Sequence, residues 1–339
     1  MRARNPVNVA ILGLVAAIAA IALSLCIGVI HVPIGEVARV LPDFVMGRDR
    51  ETSMASTLVL EMRLPRAVGA FFVGAALGSA GAMLQALLRD PLASPTLIGT
   101  AQASAFGRVL GVFLGMSYVG SLLLSFLTAV AGTLIVLVIA RSRRGMPSQA
   151  VLLTGVNVGM LFAALIGLVQ YMSTDEGQLS RMVLLLLGGL WQVTWPPLAL
   201  IVPATLVCIG AGLLLSRHLD LLSLGEDSAL RLGMNTRSSG TAVLLLSCLL
   251  TSLAVSIAGI VAFVGLVVPH AARRLVGPAH RALLPACAFL GGILVVAVDC
   301  VARTALPPNE LPLGVLTSLV GVPFFLVVMH SMVREGATR

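Results

Sequence analysis

The sequence contains no lysine and little charge of either sign. All 22 basic residues are arginine, and charged residues make up only 11% of the 339 residues, whereas 58% are hydrophobic. Because a soluble domain has about 25% charged residues, this composition excludes an ordinary soluble protein. The missing lysine also excludes a phosphate-binding loop of the G-x-x-x-x-G-K type, since its lysine contacts the nucleotide phosphates. Any ATP that drives the protein must therefore be hydrolysed by another chain.

Cysteine is present without the spacing that would give it a function. The five cysteines lie inside apolar runs and are not paired in sequence, which argues against a disulfide framework or a zinc site. We expect them to be small buried hydrophobic residues. The net charge of +8 comes from arginines in short segments between apolar runs, as is typical of anchors at a membrane surface. We therefore predict contact with membrane lipid and neither a metal site nor a nucleic-acid partner.

Charge-free stretches long enough to cross a bilayer recur along the chain. A transmembrane helix needs about 20 mostly apolar residues, and glycine and proline divide the longest stretches. The pattern predicts an all-α integral membrane protein in which residues 1–339 form a single transmembrane domain of about ten helices. The predicted spans are residues 5–30, 67–88, 92–116, a fourth that ends at 140, 148–172, 195–215, two that divide 238–269 near Gly259, 282–302 and 311–333. A short half-buried helix is expected just before the sixth span.

Small residues at regular spacing predict how these helices pack. Residues 74–78 read G-A-A-L-G, and glycines recur at positions 107, 111 and 115. Glycine at an interval of four residues lets two membrane helices approach closely. We expect these two segments to lie at helix contacts.

The distribution of arginine predicts the orientation of the chain. Ten spans place both termini on one side, and that side carries roughly twice as many arginines as the other, so both termini are predicted to be cytoplasmic. The segment E-M-R-L-P-R at 61–66 then faces outward, against the usual rule. Pro65 suits the first turn of a helix, which places Arg63 and Arg66 at a helix N-terminus, where positive charge costs about 0.3 to 1 kcal/mol.

The outward arginines have two possible explanations. They could reach lipid phosphates, or they could form a docking site for an acidic partner outside the membrane. In the second interpretation Arg303, at the outer end of the ninth span, is a third contact. The sequence leaves both explanations open.

The most polar stretch within the membrane-embedded part is R-H-L-D-L-L-S-L-G-E-D-S-A-L-R-L-G-M-N-T-R, residues 217–237. We predict a helix over 223–232 that has Leu224, Ala229 and Leu232 on an apolar face and ends at Gly233. This segment either lies on the membrane surface or inserts into a cytosolic partner.

Two further polar segments interrupt the cytoplasmic ends of the spans. They are residues 89–99 and 145–149, and their prolines predict rigid loops. Two interpretations are open: these loops are simple turns, or they form a gate that closes a transport pathway through the protein.

Arg108 lies within the predicted third span. An arginine there costs at least about 2.5 kcal/mol on insertion scales, so its side chain should face protein or water. It either snorkels or pairs structurally, or it attracts an anionic substrate along a pathway. Arg181, on the outer side, is a second candidate for such a pathway charge.

Four long segments occur in the order of a known family. They are R-L-P-R with V-G-A-A-L-G-S-A-G-A-M-L-Q-A-L-L-R-D-P-L-A-S-P-T-L-I-G, then L-L-S-L-G-E-D-S-A-L-R-L-G, then G-I-V-A-F-V-G-L-V-V-P-H, then E-L-P-L-G-V-L-T-S-L-V-G. Together they resemble the permeases of type II ABC importers, which import iron-siderophores, haem and cobalamin. The resemblance covers about residues 55–333.

The resemblance implies a complete transport complex in the bacterial cytoplasmic (inner) membrane. It implies ten spans per subunit and a pair of permeases, the second being a copy or a relative of the first. Two cytosolic ATPase subunits, which bind ATP and Mg, lie below the pair, and a periplasmic substrate-binding protein docks above. The chain itself is then a transport subunit with no cofactor and no catalytic residues.

The resemblance also assigns roles to individual residues. It implies that Arg63, Arg66 and Arg303 receive glutamates of the binding protein. The predicted ATPase contacts are Leu224, Gly225, Glu226, Ala229, Leu232 and Gly233, and the predicted cytoplasmic gate comprises Asp90, Leu92, Pro147 and Ser148. The family often has asparagine where Asp90 stands, so a gate residue is expected to carry charge here. It often has tryptophan where Leu185 stands, and that outer part of the pathway therefore does not identify the substrate.

Rival functions remain at this stage. An iron chelate, a siderophore complex or haem, is favoured because such substrates are the commonest in the family, and cobalamin is the alternative. A proton- or sodium-driven transporter would need intramembrane carboxylates, and Asp299 is the only candidate within a predicted span. An intramembrane enzyme would need a nucleophile with its base or a metal-spaced cluster, and the spans contain neither.

Overall fold

The computed structural model describes residues 6–28, 30, 32–45, 54–140 and 148–337, and the regular secondary structure in these residues is helical. A π-helical segment, Leu58–Arg63, precedes α4, and a 3₁₀ turn, Pro95–Ile98, precedes α5. The α-helices are α1 Pro6–Cys26, α2 Ile34–Val45, α3 Met54–Thr57, α4 Leu64–Leu88, α5 Thr100–Phe113, α6 Tyr118–Ala140, α7 Ser148–Met172, α8 Glu176–Leu187, α9 Trp195–Leu214, α10 Ser216–Ser223, α11 Glu226–Arg231, α12 Thr236–Ala258, α13 Val264–Val276, α14 His280–Thr304 and α15 Leu313–Ala337.

Membrane-spanning helices dominate the described part of the chain. Seven helical segments in it are long and apolar enough to cross a bilayer: α1, Leu58–Leu88, α6, α7, α9, α12 and α14. The predicted third, eighth and tenth spans correspond to α5, α13 and α15. Of these, α5 and α13 have only 14 and 13 residues, which is short for a hydrocarbon core of about 30 Å. The predicted all-α membrane fold is confirmed, and the count of ten is approximate.

The helix α4 lies at the centre of the bundle, and its small residues explain why. A Cβ atom on Gly74 would lie 2.0 Å from the carbonyl oxygen of Gly291 in α14, and one on Gly81 would lie 1.8 Å from that of Gly265 in α13. Only glycine allows such backbone contact, so the predicted close packing at 74–78 is confirmed. Gly107 and Gly111 contact α6 in the same way, whereas Gly115 has open space beside it.

The two ends of the bundle differ in the side chains that meet there. Arg66, at the start of α4, contacts Asp299 near the end of α14, so α4 and α14 run antiparallel. We call this the arginine end. At the opposite end, His280 begins α14 and contacts Asp220 of α10, next to α11. We call this the coupling end, and α14 with its 25 residues separates the two by roughly 37 Å.

The first and last helices of the described chain, α1 and α15, run in opposite directions. Gly13 of α1 packs on Phe289 in the first half of α14, whereas Leu25 of α1 lies beside Arg63 at the arginine end. The helix α1 therefore begins at the coupling end. The last helix, α15, follows the loop that holds Glu310 at the arginine end and runs past Phe263 at Gly321. An even number of crossings, as predicted, gives this arrangement.

Candidate functional site

The three outward arginines converge at the arginine end. Arg63, Arg66 and Arg303 border a half-open cavity of about 340 Å³, together with Glu61 and Glu310. The first two come from the segment that enters α4 and the third from the end of α14. The structure therefore brings together the three residues that the sequence predicted as one docking site. We call Arg63, Arg66, Arg303, Asp299 and Glu310 the arginine cluster.

Arg66 has a carboxylate on each side of its guanidinium group. Its Nε and Nη2 atoms donate to Oδ1 of Asp299 at 3.0 and 2.8 Å. Its Nη1 atom donates to Oε1 of Glu310 at 2.9 Å, and Nη2 lies 2.8 Å from Oε2 of the same residue. Two-pronged contacts of this kind are the strongest that an arginine makes with carboxylates. The sequence predicted an external charge for this arginine and missed both internal partners.

Asp299 compensates two arginines at once. Its side chain is 1% exposed, and its Oδ2 atom lies 3.1 Å from Nε of Arg303, one helical turn further along α14. Two buried positive charges in a membrane helix would be costly without such a partner. Asp299, which the sequence offered as a candidate carboxylate for ion coupling, is thus held between Arg66 and Arg303.

Arg63 fixes the end of the first helix. Its Nη1 atom donates to the carbonyl oxygen of Leu25 at 2.6 Å, and its Nη2 atom donates to the carbonyl oxygen of Ile30. The last carbonyl groups of a helix lack intrahelical partners, and a cation near them is also favoured by the helix dipole. A Cβ atom on Gly28 would lie 2.7 Å from Nη2 of Arg63, so a larger residue there would displace the end of the arginine side chain. The structure gives Arg63 a structural role, and its predicted docking role stays a prediction.

The predicted bounds of the helix over 223–232 are wrong, because the segment is broken and only Glu226–Arg231 forms α11. The helix α10 ends at Ser223, and Gly225 has φ 111°, a conformation that glycine adopts without strain, before α11 begins at Glu226. Gly233, at φ 80°, follows α11 as predicted.

The predicted apolar face of this segment is also wrong. Ala229 is fully buried against the bundle, whereas Leu224 and Leu232 are 65% and 64% exposed. Leu230 is exposed as well. We call Leu224, Leu230 and Leu232 the coupling surface. Three exposed leucines on a polar segment beyond the spans are typical of a protein contact rather than of a solvated turn.

Hydrogen bonds between Asp220 and His280 tie α10 to the bundle. Oδ1 of Asp220 in α10 accepts a hydrogen bond from the backbone N–H of His280 at 2.9 Å and lies 2.7 Å from Nδ1 of the same histidine. Asp220 therefore caps the N-terminus of α14 from another helix. The contact between Asp220 and His280 was not predicted from the sequence, although Asp220 is an acidic residue within the polar segment 217–237.

The predicted gate residues lie in two segments that approach each other. Oδ1 of Asp90 accepts from the backbone N–H of Leu92 at 2.8 Å, which forms a tight turn after α4. Gly99, at the end of this loop, packs against the backbone of Gly155 in α7. Ser148 begins α7, and Pro147 lies outside the described residues.

The two proposed pathway charges have different surroundings. The Nη1 atom of Arg108 donates to Oγ of Ser121 at 2.6 Å, and its guanidinium carbon lies 4.7 Å from the centre of the Tyr118 ring. Arg108 is buried between α5 and α6, which favours the structural interpretation. Arg181 is an exposed residue of α8. In the described residues, histidine, cysteine and acidic side chains form no group of three that could hold a metal ion.

The chain is similar to a known family over nearly its whole length. Residues 16–331 match the model of the FecCD transport family. The hemin transport system permease protein HmuU of Yersinia pestis is 38% identical over 278 residues, which are 79% of this chain and 81% of that protein. The Fe(3+) dicitrate transport system permease protein FecD of Escherichia coli is 36% identical over 91% of this chain and 94% of that protein.

Another relative is named for a different transported substrate. The vitamin B12 import system permease protein BtuC of Salmonella paratyphi A is 36% identical over 81% of this chain and 84% of that protein. Among solved structures, an inward-facing conformation of a metal-chelate type ABC transporter superposes with a TM-score of 0.84 at 31% identity. That match covers 96% of this chain and 99% of the other. Similarity therefore extends to proteins named for different substrates.

Proposed function

Because the chain belongs to the FecCD transport family of ABC importer permeases, we propose that it imports an iron chelate, a ferric siderophore or haem, across the bacterial inner membrane. Members of this family are transport subunits, and a separate subunit hydrolyses ATP. The chain is accordingly a permease subunit and not an enzyme.

The observation that carries the proposal is the presence of two unlike contact surfaces at opposite ends of α14. The arginine cluster, around Arg66, suits acidic side chains of a periplasmic substrate-binding protein. The coupling surface, around Leu224, suits an apolar groove on a cytosolic ATPase subunit. We infer a complex of two permeases, two ATPases and one binding protein, with ATP and Mg bound by the ATPase subunits.

We propose that force enters at α11 and reaches the bundle through Asp220. Closure of the ATPase pair would displace the coupling surface, and the Asp220–His280 contact would pass the displacement to α14. The helix α14 packs on α4 through glycine backbones, so the two would move together. The turn at Asp90 and Leu92, together with Pro147 and Ser148, would then open or close the cytoplasmic gate.

An iron chelate is the favoured cargo because of the names of the relatives. Two of the reported relatives are named for hemin and Fe(3+) dicitrate, and the similar structure is of a metal-chelate type transporter. The relative named for vitamin B12 makes cobalamin the second candidate.

Reconstitution tests the function and the cargo together. The permease, its ATPase and its substrate-binding protein are placed in proteoliposomes, and uptake of a ferric siderophore, hemin and cobalamin is measured with and without ATP. We expect uptake of an iron chelate that requires ATP, the ATPase and the binding protein. Uptake of cobalamin alone would replace the proposed cargo, and uptake by the permease without its partners would contradict the mechanism.

A further inference from the structure

The docking site for the acidic partner is already occupied. Both edges of the Arg66 guanidinium group bind carboxylates of the same chain, Asp299 on one side and Glu310 on the other. A glutamate of a docking protein therefore finds no free edge on Arg66. For such a glutamate to bind in the same two-pronged geometry, one of the two internal carboxylates has to leave.

The surroundings of the two carboxylates identify the one that leaves. Asp299 is 1% exposed, lies within the helix α14 and binds Arg303 as well as Arg66. Removing it would leave the buried Arg303 without its carboxylate and would break one of the two pairs of Arg66. Glu310 is 33% exposed and lies in the non-helical segment 305–312 between α14 and α15. Its displacement moves one loop side chain toward water and leaves the pair with Asp299 intact.

The charges around the cavity also indicate that Glu310 is the carboxylate displaced on docking. The guanidinium groups of Arg63, Arg66 and Arg303 border it together with two carboxylates, Glu61 and Glu310, and Asp299 lies directly behind. Three positive and three negative groups leave little net attraction for an acidic surface. Withdrawal of Glu310 shifts this balance toward positive charge and frees the outer edge of Arg66.

We propose that Glu310 is an intramolecular competitor that occupies on Arg66 the position of the binding protein's carboxylate. The inference rests on the proposed docking of a substrate-binding protein at the arginine cluster. Docking exchanges one carboxylate for another, so Arg66 is never left unpaired, and the affinity is reduced by the fraction of time that Glu310 occupies the arginine. Moderate affinity lets the emptied binding protein leave after each delivery.

Replacement of Glu310 by glutamine tests the competition directly. The full-length permease in lipid nanodiscs is titrated with its purified substrate-binding protein, and the dissociation constants of the wild type and Glu310→Gln are compared. We expect about 3- to 10-fold tighter binding by Glu310→Gln, because a neutral amide competes less well for Arg66. The matched control is Glu176→Gln, which removes an exposed carboxylate from the start of α8, on the same predicted side of the membrane.

The outcomes separate this inference from the proposed function. Tighter binding by Glu310→Gln, with Glu176→Gln at the wild-type value, supports the competition. Equal or weaker binding by Glu310→Gln, with a wild-type protein that does bind, overturns the competition alone. A wild-type permease that fails to bind the substrate-binding protein overturns the docking function and the competition with it. An equal gain in both variants would mean a general charge effect and would likewise overturn the competition.

Discussion

At the scale of single residues, the arginine cluster explains how positive charge is tolerated at the start of a membrane helix. Arg66 and Arg303 share the buried carboxylate of Asp299, and Arg63 binds carbonyl oxygens at the end of α1. Each arginine is therefore compensated inside the chain before any partner arrives. A docking protein would not neutralise bare charges but would exchange contacts with this network.

Asp299 should be the residue of this cluster on which stability depends most. Asp299→Asn removes the buried negative charge that Arg66 and Arg303 share, and we expect a loss of about 3 to 5 kcal/mol, as found when one member of a buried ion pair is removed. Thermal unfolding of the detergent-solubilised protein measures the change. Glu310→Gln is the control, since its partly exposed pair with Arg66 should contribute about 0 to 1 kcal/mol. Equal unfolding temperatures for the two variants would contradict this assignment.

At the scale of helices, the spans could be predicted from sequence because charge and proline delimit them. The fifth span was predicted at 148–172, and α7 has those bounds because polar segments flank it on both sides. The break at Gly225 could not be predicted, since a glycine inside an amphipathic pattern does not reveal its φ angle. The contacts of Arg66 with Asp299 join residues more than two hundred positions apart, which no local pattern encodes.

The packing of α4 on α14 should depend on the absence of a single side chain. We expect Gly74→Ala to destabilise the protein by about 1 to 3 kcal/mol, because its Cβ atom would overlap the backbone of Gly291 at 2.0 Å. Gly210→Ala in α9 is the control, since a Cβ atom there meets nothing within 4 Å. Thermal unfolding again gives the comparison. A Gly74→Ala protein as stable as Gly210→Ala would mean that the two helices separate at no cost.

The contact between α10 and α14 should matter for coupling more than for binding. Asp220→Asn keeps an acceptor for the backbone of His280 but removes the charge that holds its ring. We expect a severalfold fall in substrate moved per ATP hydrolysed in proteoliposomes, with the ATPase still bound. Asp175→Asn, which alters a similar cap at the start of α8, is the control and should leave the ratio unchanged. Parallel loss of transport and hydrolysis in Asp220→Asn would instead indicate that the ATPase no longer docks.

At the scale of the whole molecule, the fold places the arginine cluster and the coupling surface at opposite ends of the packed helices α4 and α14. The arginine end is polar and internally paired, whereas the coupling surface is apolar and lies outside the spans. Family motifs in the sequence fall on both sets of residues, and their roles in docking and coupling stay predictions. The sequence could not predict that Ala229 faces inward while Leu224 and Leu232 face outward, because that depends on the break at Gly225.

The coupling surface should be required for binding of the ATPase and dispensable for folding. Leu224→Ser and Leu232→Ser change side chains that are mostly exposed, so we expect unfolding temperatures near that of the wild type. Each should weaken binding of the ATPase by about tenfold or more if the leucines anchor the interface. Co-purification and titration with the ATPase subunit measure the effect. Leu306→Ser, which changes an equally exposed leucine at the arginine end, should bind the ATPase like the wild type. If all three variants bound the ATPase equally well, the ATPase would have to contact the permease elsewhere. The proposed transmission of force from α11 through Asp220 to α14 would then be contradicted.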